Sequence, residues 1–128
     1  MKRTVSAALV ALLAGCTGGI NEVCTLLACA NGLTVNLAQA PVGSYSIEVF
    51  TAAAANGPHY IFQCASAASC GTTAFFAEFT PANVVVRVTT QAGTREESVT
   101  PGYQQVRPNG PNCGPECKQA SITVALPG

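Results

Sequence analysis

The chain has 128 residues, a length typical of one domain. Six Lys and Arg residues balance six acidic residues, which argues against a nucleic-acid-binding protein because such proteins carry a basic surplus. A hydrophobic content of 48% with 9% charged residues argues against disorder, and the lack of Asp excludes any catalytic site built on that residue.

The amino-terminal segment has the pattern of an export signal. Lys2 and Arg3 precede an uncharged apolar run over residues 5–13, which is too short to span a hydrocarbon core of about 30 Å. This pattern predicts a signal peptide over residues 1–15. The motif Leu13-Ala14-Gly15-Cys16 at its end resembles the lipobox of bacterial lipoproteins.

The lipobox resemblance implies a lipid on the Cys16 thiol, such as palmitate, and cleavage just before that residue. Two or three acyl chains anchor a protein stably, at roughly 0.8 kcal/mol per buried CH₂. The expected location is the cell membrane or the outer membrane, lipid-anchored and facing the periplasm or the exterior. Thr17, where inner-membrane lipoproteins often carry Asp, favours the outer membrane. The alternative is an ordinary secretory signal with a chance Cys.

The cysteines indicate an oxidising compartment. Residues 16–24 form a short tether that reaches at most roughly 28 Å beyond Cys16, and residues 25–128 form the domain. An even set of cysteines in an exported chain predicts three disulfides among Cys24, Cys29, Cys64, Cys70, Cys113 and Cys117. The alternative is a zinc site made by the first two and the last two of these cysteines.

The rest of the chain reads as short strands separated by turn signals. Alternation of apolar and polar residues and β-branched runs predict strands over residues 33–37, 45–50, 59–64, 72–79, 83–89, 94–100, 103–107 and 120–126. The Ala-rich stretches 52–55 and 65–68 lack caps and are too short to be stable helices alone. Seven or eight strands with one buried face each predict an all-β, antiparallel sandwich.

A weak sequence resemblance refines this fold class. The alternating run from Pro41 to Val49 resembles a turn and strand of many secreted bacterial sandwich modules, which implies an immunoglobulin-like or transthyretin-like sandwich. The Cys, Trp and Cys signature of true immunoglobulin domains is absent because the chain has no Trp. The expected core comprises Leu33, Val35, Leu37, Tyr45, Ile47, Val49, Val84, Val86, Val88, Ile122, Val124 and Leu126.

The immunoglobulin-like topology suggests a disulfide pattern. The first strand of such sandwiches often lies parallel to the last, so their starting ends are neighbours. Cys24 and Cys29 precede the first strand, and Cys113 and Cys117 precede the last. We therefore favour links between these two pairs and a local Cys64 to Cys70 bridge. The alternative is three local bridges, 24–29, 64–70 and 113–117.

The sequence offers few candidates for catalysis. His59 is the only His, follows Pro58 at a strand start, and is interpreted as an exposed or edge residue. Glu48 and Glu78 lie on separate strands and are interpreted as solvent-facing, as are the adjacent Glu96 and Glu97. No phosphate-binding, dinucleotide-binding, nucleophile-elbow or metalloprotease motif occurs in the sequence. We expect no catalytic residue, no metal and no cofactor.

Adjacent apolar residues raise a question about exposed aromatic rings. Phe75 and Phe76 point to opposite faces of any strand, as do Val49 and Phe50, so one of each pair lies away from the core. Such a residue is a partner site or is shielded by the 65–72 or the 108–118 loop, and we expect the latter.

These features favour a lipid-anchored envelope lipoprotein of unknown specific role with a non-catalytic structural or protein-interaction module, its partner an envelope protein and not nucleic acid. The alternative is a small-ligand or carbohydrate-binding lipoprotein, for which the sequence offers Tyr103, Gln104 and Gln105. A hydrolytic enzyme is a weaker third hypothesis, which would need two groups converging on His59.

Overall fold

Strands account for most of the regular structure in a computed structural model of the chain, which describes residues 23–54 and 56–128. The predicted signal peptide 1–15, the lipidation site Cys16 and most of the predicted tether lie outside the described residues. The eight strands are β1 (Gly32–Leu37), β2 (Tyr45–Phe50), β3 (Tyr60–Cys64), β4 (Thr73–Ala77), β5 (Val84–Thr90), β6 (Gly93–Val99), β7 (Gln104–Val106) and β8 (Cys117–Val124).

The strands form two four-stranded sheets that pack together as an all-β sandwich, as the sequence predicted. One sheet has the order β4-β1-β8-β7 and the other the order β3-β2-β5-β6. All pairings are antiparallel except that between β1 and β8, which runs parallel from Gly32↔Gln119 to Leu37↔Val124. The first and the last strands of the domain therefore start at the same end of the sandwich.

The core lies between the sheets and follows the period-two pattern of the strands. Ten of the twelve predicted core residues are buried, and only Ile122 and Leu126 remain partly exposed. Phe76, Phe79 and Ala74 extend this core, and they belong to the segment around β4. The alternating pattern thus identified the inward faces of β1, β2 and β5 correctly.

Two short helical turns interrupt the strands at or beside the Ala-rich stretches, which were predicted to be too short for stable helices alone. A 3-10 turn covers Ala52–Ala54, and helix α1 covers Ala67–Cys70. Neither turn stands alone. Helix α1 lies within the loop that the Cys64 to Cys70 disulfide closes, and its end is capped by the Gly71 N–H bonded to the Ala67 carbonyl. Covalent closure supplies the ordering that such a short helix lacks by itself.

The six cysteines form three disulfides that follow the cross-linked arrangement rather than the three local bridges. Cys24 is joined to Cys113, Cys29 to Cys117, and Cys64 to Cys70. The first two bridges span 89 and 88 residues and fasten the segment before β1 to the segment before β8. Because all four of these cysteines are oxidised, the alternative zinc site is wrong.

The segment of residues 23–31, which we call the strap, is also held by hydrogen bonds. The buried Asn109 side chain accepts from the Leu27 N–H at 2.7 Å and from the Thr25 hydroxyl at 2.7 Å. Its amide group donates to the carbonyls of Leu27 and Gly114 at 2.9 and 3.0 Å. The strap is therefore fixed on the sandwich although it contains no strand before Gly32. Within residues 23–54 and 56–128, no helix has the length and apolar character needed to cross a membrane.

Candidate binding surfaces

One concavity lies at the end of the sandwich opposite the strap. β1 and β8 run away from the strap, and β4 starts beside the end of β1. The first residue of β2, Tyr45, donates a hydrogen bond to the Gly71 carbonyl just before β4, so β2 also starts at this far end. A cavity of about 490 Å³ opens there, and we call it the outer cavity. Its uncharged lining consists of Ser44, Tyr45, Ser46, Gln63, Cys64, Ala65, Thr89, Thr90 and Gln91.

A second surface is the solvent face of the β4-β1-β8-β7 sheet, which we call the Phe75 face. Leu33, Val35 and Ala120 point into the core, so the residues that alternate with them, and the residues in register with those, point to solvent on this face. Its residues carry amides, hydroxyls and small groups around a single aromatic ring, and none of them is charged. They are Thr73, Phe75, Ala77, Gly32, Thr34, Asn36, Gln119, Ser121, Thr123 and Gln104.

The aromatic ring of this face is held flat against the sheet. Phe75 is 46% exposed, and a Cβ on Gly32 would meet its Cζ at 2.5 Å. The ring therefore occupies the space that a side chain at Gly32 would fill. Glycine beneath an aromatic ring is a cross-strand arrangement that stabilises sheets, and it also leaves the other side of the ring open to solvent.

A shallow groove continues from the ring across the sheet. It measures about 360 Å³, and its lining includes Thr34, Gln104, Gln119 and Ser121. Part of this polar surface is ordered by internal bonds, since the Gln119 amide donates to the Ala30 carbonyl at 2.8 Å. The groove thus offers positioned amide and hydroxyl groups beside an exposed ring.

The three residues predicted from the sequence as a ligand patch separate in the structure. Tyr103 packs against the core and Gln104 lines the groove, whereas Gln105 is paired with Lys118 and does not line it. Successive residues of a strand point to opposite faces, so neighbours in sequence rarely share a surface.

Thr34, Gln119 and Ser121 were not predicted as candidate ligand-binding residues. Two features of the sequence could have identified them. The outward positions of the first and the last predicted strands are uncharged, and these two strands were expected to be adjacent.

A polar cluster crosses the solvent face of the other sheet. His59 Nδ1 donates to Glu48 Oε1, and Arg87 donates to Glu48 Oε2 at 2.8 Å. Arg87 also donates to Glu96 at 2.7 Å. His59 lies at the sheet edge, as predicted, since it immediately precedes the edge strand β3, but its side chain is only 19% exposed and stacks on Phe50 at 4.2 Å between ring centroids.

The same contacts explain why Phe50 is buried on the outward side of β2. The Arg87 guanidinium lies 5.0 Å from the Phe50 ring centroid, and His59 covers the ring as well. The expectation that the 65–72 or 108–118 loop shields the outward aromatics is therefore wrong for Phe50. It is also wrong for Phe75, which stays half exposed.

The electrostatics of the cluster favour a stable ion pair. Partial burial raises the pKa of Glu48, but the hydrogen bonds and charges of His59 and Arg87 outweigh burial and hold that pKa below its ordinary value. Hydrogen bonds to Glu96 and Glu48 raise the pKa of Arg87 further. Glu48 points to the solvent face of its sheet, as predicted, but both of its carboxylate oxygens are engaged and its side chain is only 16% exposed. Two side chains, Glu48 and Phe50, do contact His59. Together with Arg87 they link β2 to its neighbouring strands β3 and β5.

The remaining acidic candidates are dispersed. Glu78 follows β4 with a φ of 58° and lies 3.4 Å from the Asn31 amide, next to the sheet that does not carry the Glu48 cluster. Glu96 is exposed on β6, as predicted for that hairpin face, whereas Glu97 is only partly exposed because it lies opposite the buried Val86. In the part of the chain that the structure describes, no group of three or more His, Cys, Asp or Glu side chains is placed to hold a metal ion.

Comparison of the chain with protein-family models, with curated proteins and with solved structures found no match.

Proposed function

We propose that the chain is a lipid-anchored lipoprotein of the cell envelope, attached to the cell membrane or the outer membrane through Cys16. Its folded part is a non-catalytic module, an immunoglobulin-like or transthyretin-like sandwich that binds an envelope protein or serves a structural role. The signal peptide 1–15 and the tether beginning at Cys16 belong to this proposal.

The disulfide arrangement is the observation that carries the proposal. Oxidised cysteines are typical of exported proteins, and Cys24 lies only eight residues beyond Cys16. A lipid on Cys16 would therefore tether the sandwich by the end that its two long-range bridges reinforce. The parallel pairing of β1 with β8 supports the finer assignment to an immunoglobulin-like topology.

The anchor is tested by expressing the full chain in a bacterial host with an alkyne analogue of palmitate. We expect labelled protein in the membrane fraction, and we expect Cys16→Ala to lose both the label and the membrane association. Cys70→Ala is the matched control, since it removes a cysteine outside the lipobox, together with the local Cys64 to Cys70 bridge, and should keep the label. An unlabelled, uncleaved chain in the soluble fraction would contradict the proposal.

The polar cluster supports a non-catalytic role. A general base needs an available proton-accepting site, but both oxygens of Glu48 are bound by basic side chains and its side chain is 16% exposed. The outer cavity supports binding at the end away from the anchor. Its volume of about 490 Å³ lies within the range of roughly 300–1,000 Å³ that is typical of ligand sites.

A second candidate function is the binding of a neutral carbohydrate, which the Phe75 face favours. Amides and hydroxyls both donate and accept hydrogen bonds, as sugar hydroxyls do, and an exposed ring offers an apolar surface for stacking. A polyanionic ligand would find no countercharge among the residues of this face.

Titration calorimetry with cellohexaose, chitohexaose and maltohexaose tests this second candidate. Phe75→Ala should lower the affinity for a binding hexasaccharide roughly tenfold, a loss of about 1.4 kcal/mol. Tyr60→Ala is the matched control, since Tyr60 is an equally exposed aromatic residue (45%) on the other sheet. Failure of all three sugars to bind, or equal losses in both variants, would remove carbohydrate binding as a function of this face.

A further inference from the structure

The strap presents apolar side chains to solvent at one end of the sandwich. Leu26 is 99% exposed, Val23 is 89% exposed, and Leu27 is more than half exposed. Isolated exposed apolar residues are common on protein surfaces. Three within five positions of one short segment are an unusual concentration and indicate a contact surface.

The strap cannot withdraw these side chains by folding inward. Cys24 and Cys29 bracket Leu26 and Leu27 and are fixed to Cys113 and Cys117. Asn109 binds the backbone of Leu27 on both sides and the Thr25 hydroxyl. The apolar side chains are therefore displayed on a rigid frame, which reduces the ordering cost of inserting them into another phase.

The position of the strap identifies what it meets. Val23 lies seven positions beyond Cys16, so an acyl chain on Cys16 keeps the strap within roughly 25 Å of the membrane surface. We propose that the strap is a second membrane contact, with Leu26, Leu27 and Val23 inserted in the lipid headgroup region beside the acyl anchor. This inference rests on the proposed lipid anchor and adds a fixed orientation to it.

The orientation follows from the direction of the strands. β1 runs from the strap end to Leu37, about 20 Å for six residues, and the loop that carries Val42 follows at the far end. With the strap on the membrane, the outer cavity and Val42 face away from the lipid. The cavity is then open to a partner in the periplasm or outside the cell.

The chain has no Trp, so a single introduced indole reports on one position. The experiment uses the full-length acylated chain reconstituted in phosphatidylcholine vesicles, in two variants, Leu26→Trp and Val42→Trp. Val42 is 82% exposed at the opposite end and serves as the matched control. Both positions lie outside the strands, and Leu27→Trp is a second reporter if the first variant forms its disulfides incompletely.

We expect the indole at position 26 to emit at shorter wavelength than that at position 42 and to lose more than half of its emission to brominated lipid, because an interfacial contact buries side chains about 5–10 Å deep. The indole at position 42 should be quenched by aqueous iodide and not by the lipid.

Iodide quenching of both indoles in acylated protein would overturn the strap contact while leaving the anchor intact. Protection of position 26 without quenching by brominated lipid would assign the strap to a contact with another copy of the chain and would also overturn the proposed membrane contact. Lack of acylation would instead contradict the proposed function.

Discussion

Two tyrosine hydroxyls meet opposite environments inside the sandwich. The Tyr45 hydroxyl donates to the Gly71 carbonyl at 2.6 Å, whereas the buried Tyr103 hydroxyl has no hydrogen-bond partner within the described residues. Burial raises the pKa of both groups, so both are neutral at ordinary pH. A satisfied hydroxyl stabilises the fold by about 1 kcal/mol, and an unsatisfied buried one costs about 1–3 kcal/mol.

The same substitution should therefore change stability in opposite directions at these positions. Tyr45→Phe is expected to lower the free energy of unfolding by about 1 kcal/mol, and Tyr103→Phe to raise it by a similar amount. Urea denaturation of the two variants under oxidising conditions measures both changes, with the slope of the transition as a check on the denatured state. A loss of stability in Tyr103→Phe would mean that its hydroxyl is bonded after all.

At the scale of the strand, the Glu48 cluster is a row of side chains that runs across one sheet. His59 immediately precedes β3, Glu48 lies on β2, Arg87 on β5 and Glu96 on β6, with Glu48↔Arg87↔Glu96 in direct register. The row ties the edge strand β3 to the two central strands of its sheet. The free energy that Glu48 contributes depends on its charge.

The sign of this dependence follows from the lowered pKa of Glu48. A carboxyl whose pKa is lower in the folded state stabilises the fold above its unfolded pKa, about 4.3, and this stabilisation is lost as the pH falls through the folded value. Glu48→Gln should thus cost about 1–2 kcal/mol near neutral pH and show a shallower loss of stability on acidification.

Thermal unfolding between about pH 7 and pH 3 measures this effect. Glu96→Gln is the matched control, because Glu96 binds the same guanidinium but is half exposed, and exposed ion pairs contribute little. If the two variants lose stability equally at neutral pH, the burial of Glu48 contributes nothing to the ion pair.

Strands were predictable from the sequence, whereas the contacts between distant segments were only partly so. Alternation and turn signals located all eight strands, and the pattern was strongest in β1, β2 and β5, which have one face in the core. It placed the start of the last strand at residue 120 instead of Cys117, since residues 117–119 belong to the strand through their pairing with β7. The partner of His59 was not predictable, because it depends on the register between β2 and β3.

The candidate sites, like the strands, were predictable only in their local features. Phe75 and Phe76 face opposite ways, as predicted, and Phe76 is in the core. Which residues surround the Phe75 ring depends on sheet order, since Thr34 and Gln119 come from strands far apart in the sequence. Local pattern thus predicts which way a side chain points, and topology decides what it meets.

At the scale of the whole molecule, the two long-range disulfides act on the same pair of segments. Either bridge alone closes a loop of nearly ninety residues, which corresponds to about 4.6 kcal/mol in the chain-entropy treatment. Once one bridge exists, the other closes only a small ring, with five steps from Cys24 to Cys29 and four from Cys113 to Cys117. A ring of that size corresponds to about 2.6 kcal/mol.

Removing the bridges should therefore be strongly non-additive. The paired change Cys24→Ser with Cys113→Ser, or Cys29→Ser with Cys117→Ser, is expected to cost about 2.6 kcal/mol, and loss of both bridges about 7 kcal/mol. The excess of about 2 kcal/mol over the sum of the single losses is the signature of a shared loop. Guanidinium denaturation of the unchanged protein, the two single-bridge variants and the variant that lacks both bridges measures this excess. The paired change Cys64→Ser with Cys70→Ser is the control, since its loss of stability should simply add to that of either long-range bridge. Additive losses from the two long-range bridges would mean that each stabilises the fold by a local effect on the strap rather than by joining the two ends of the domain.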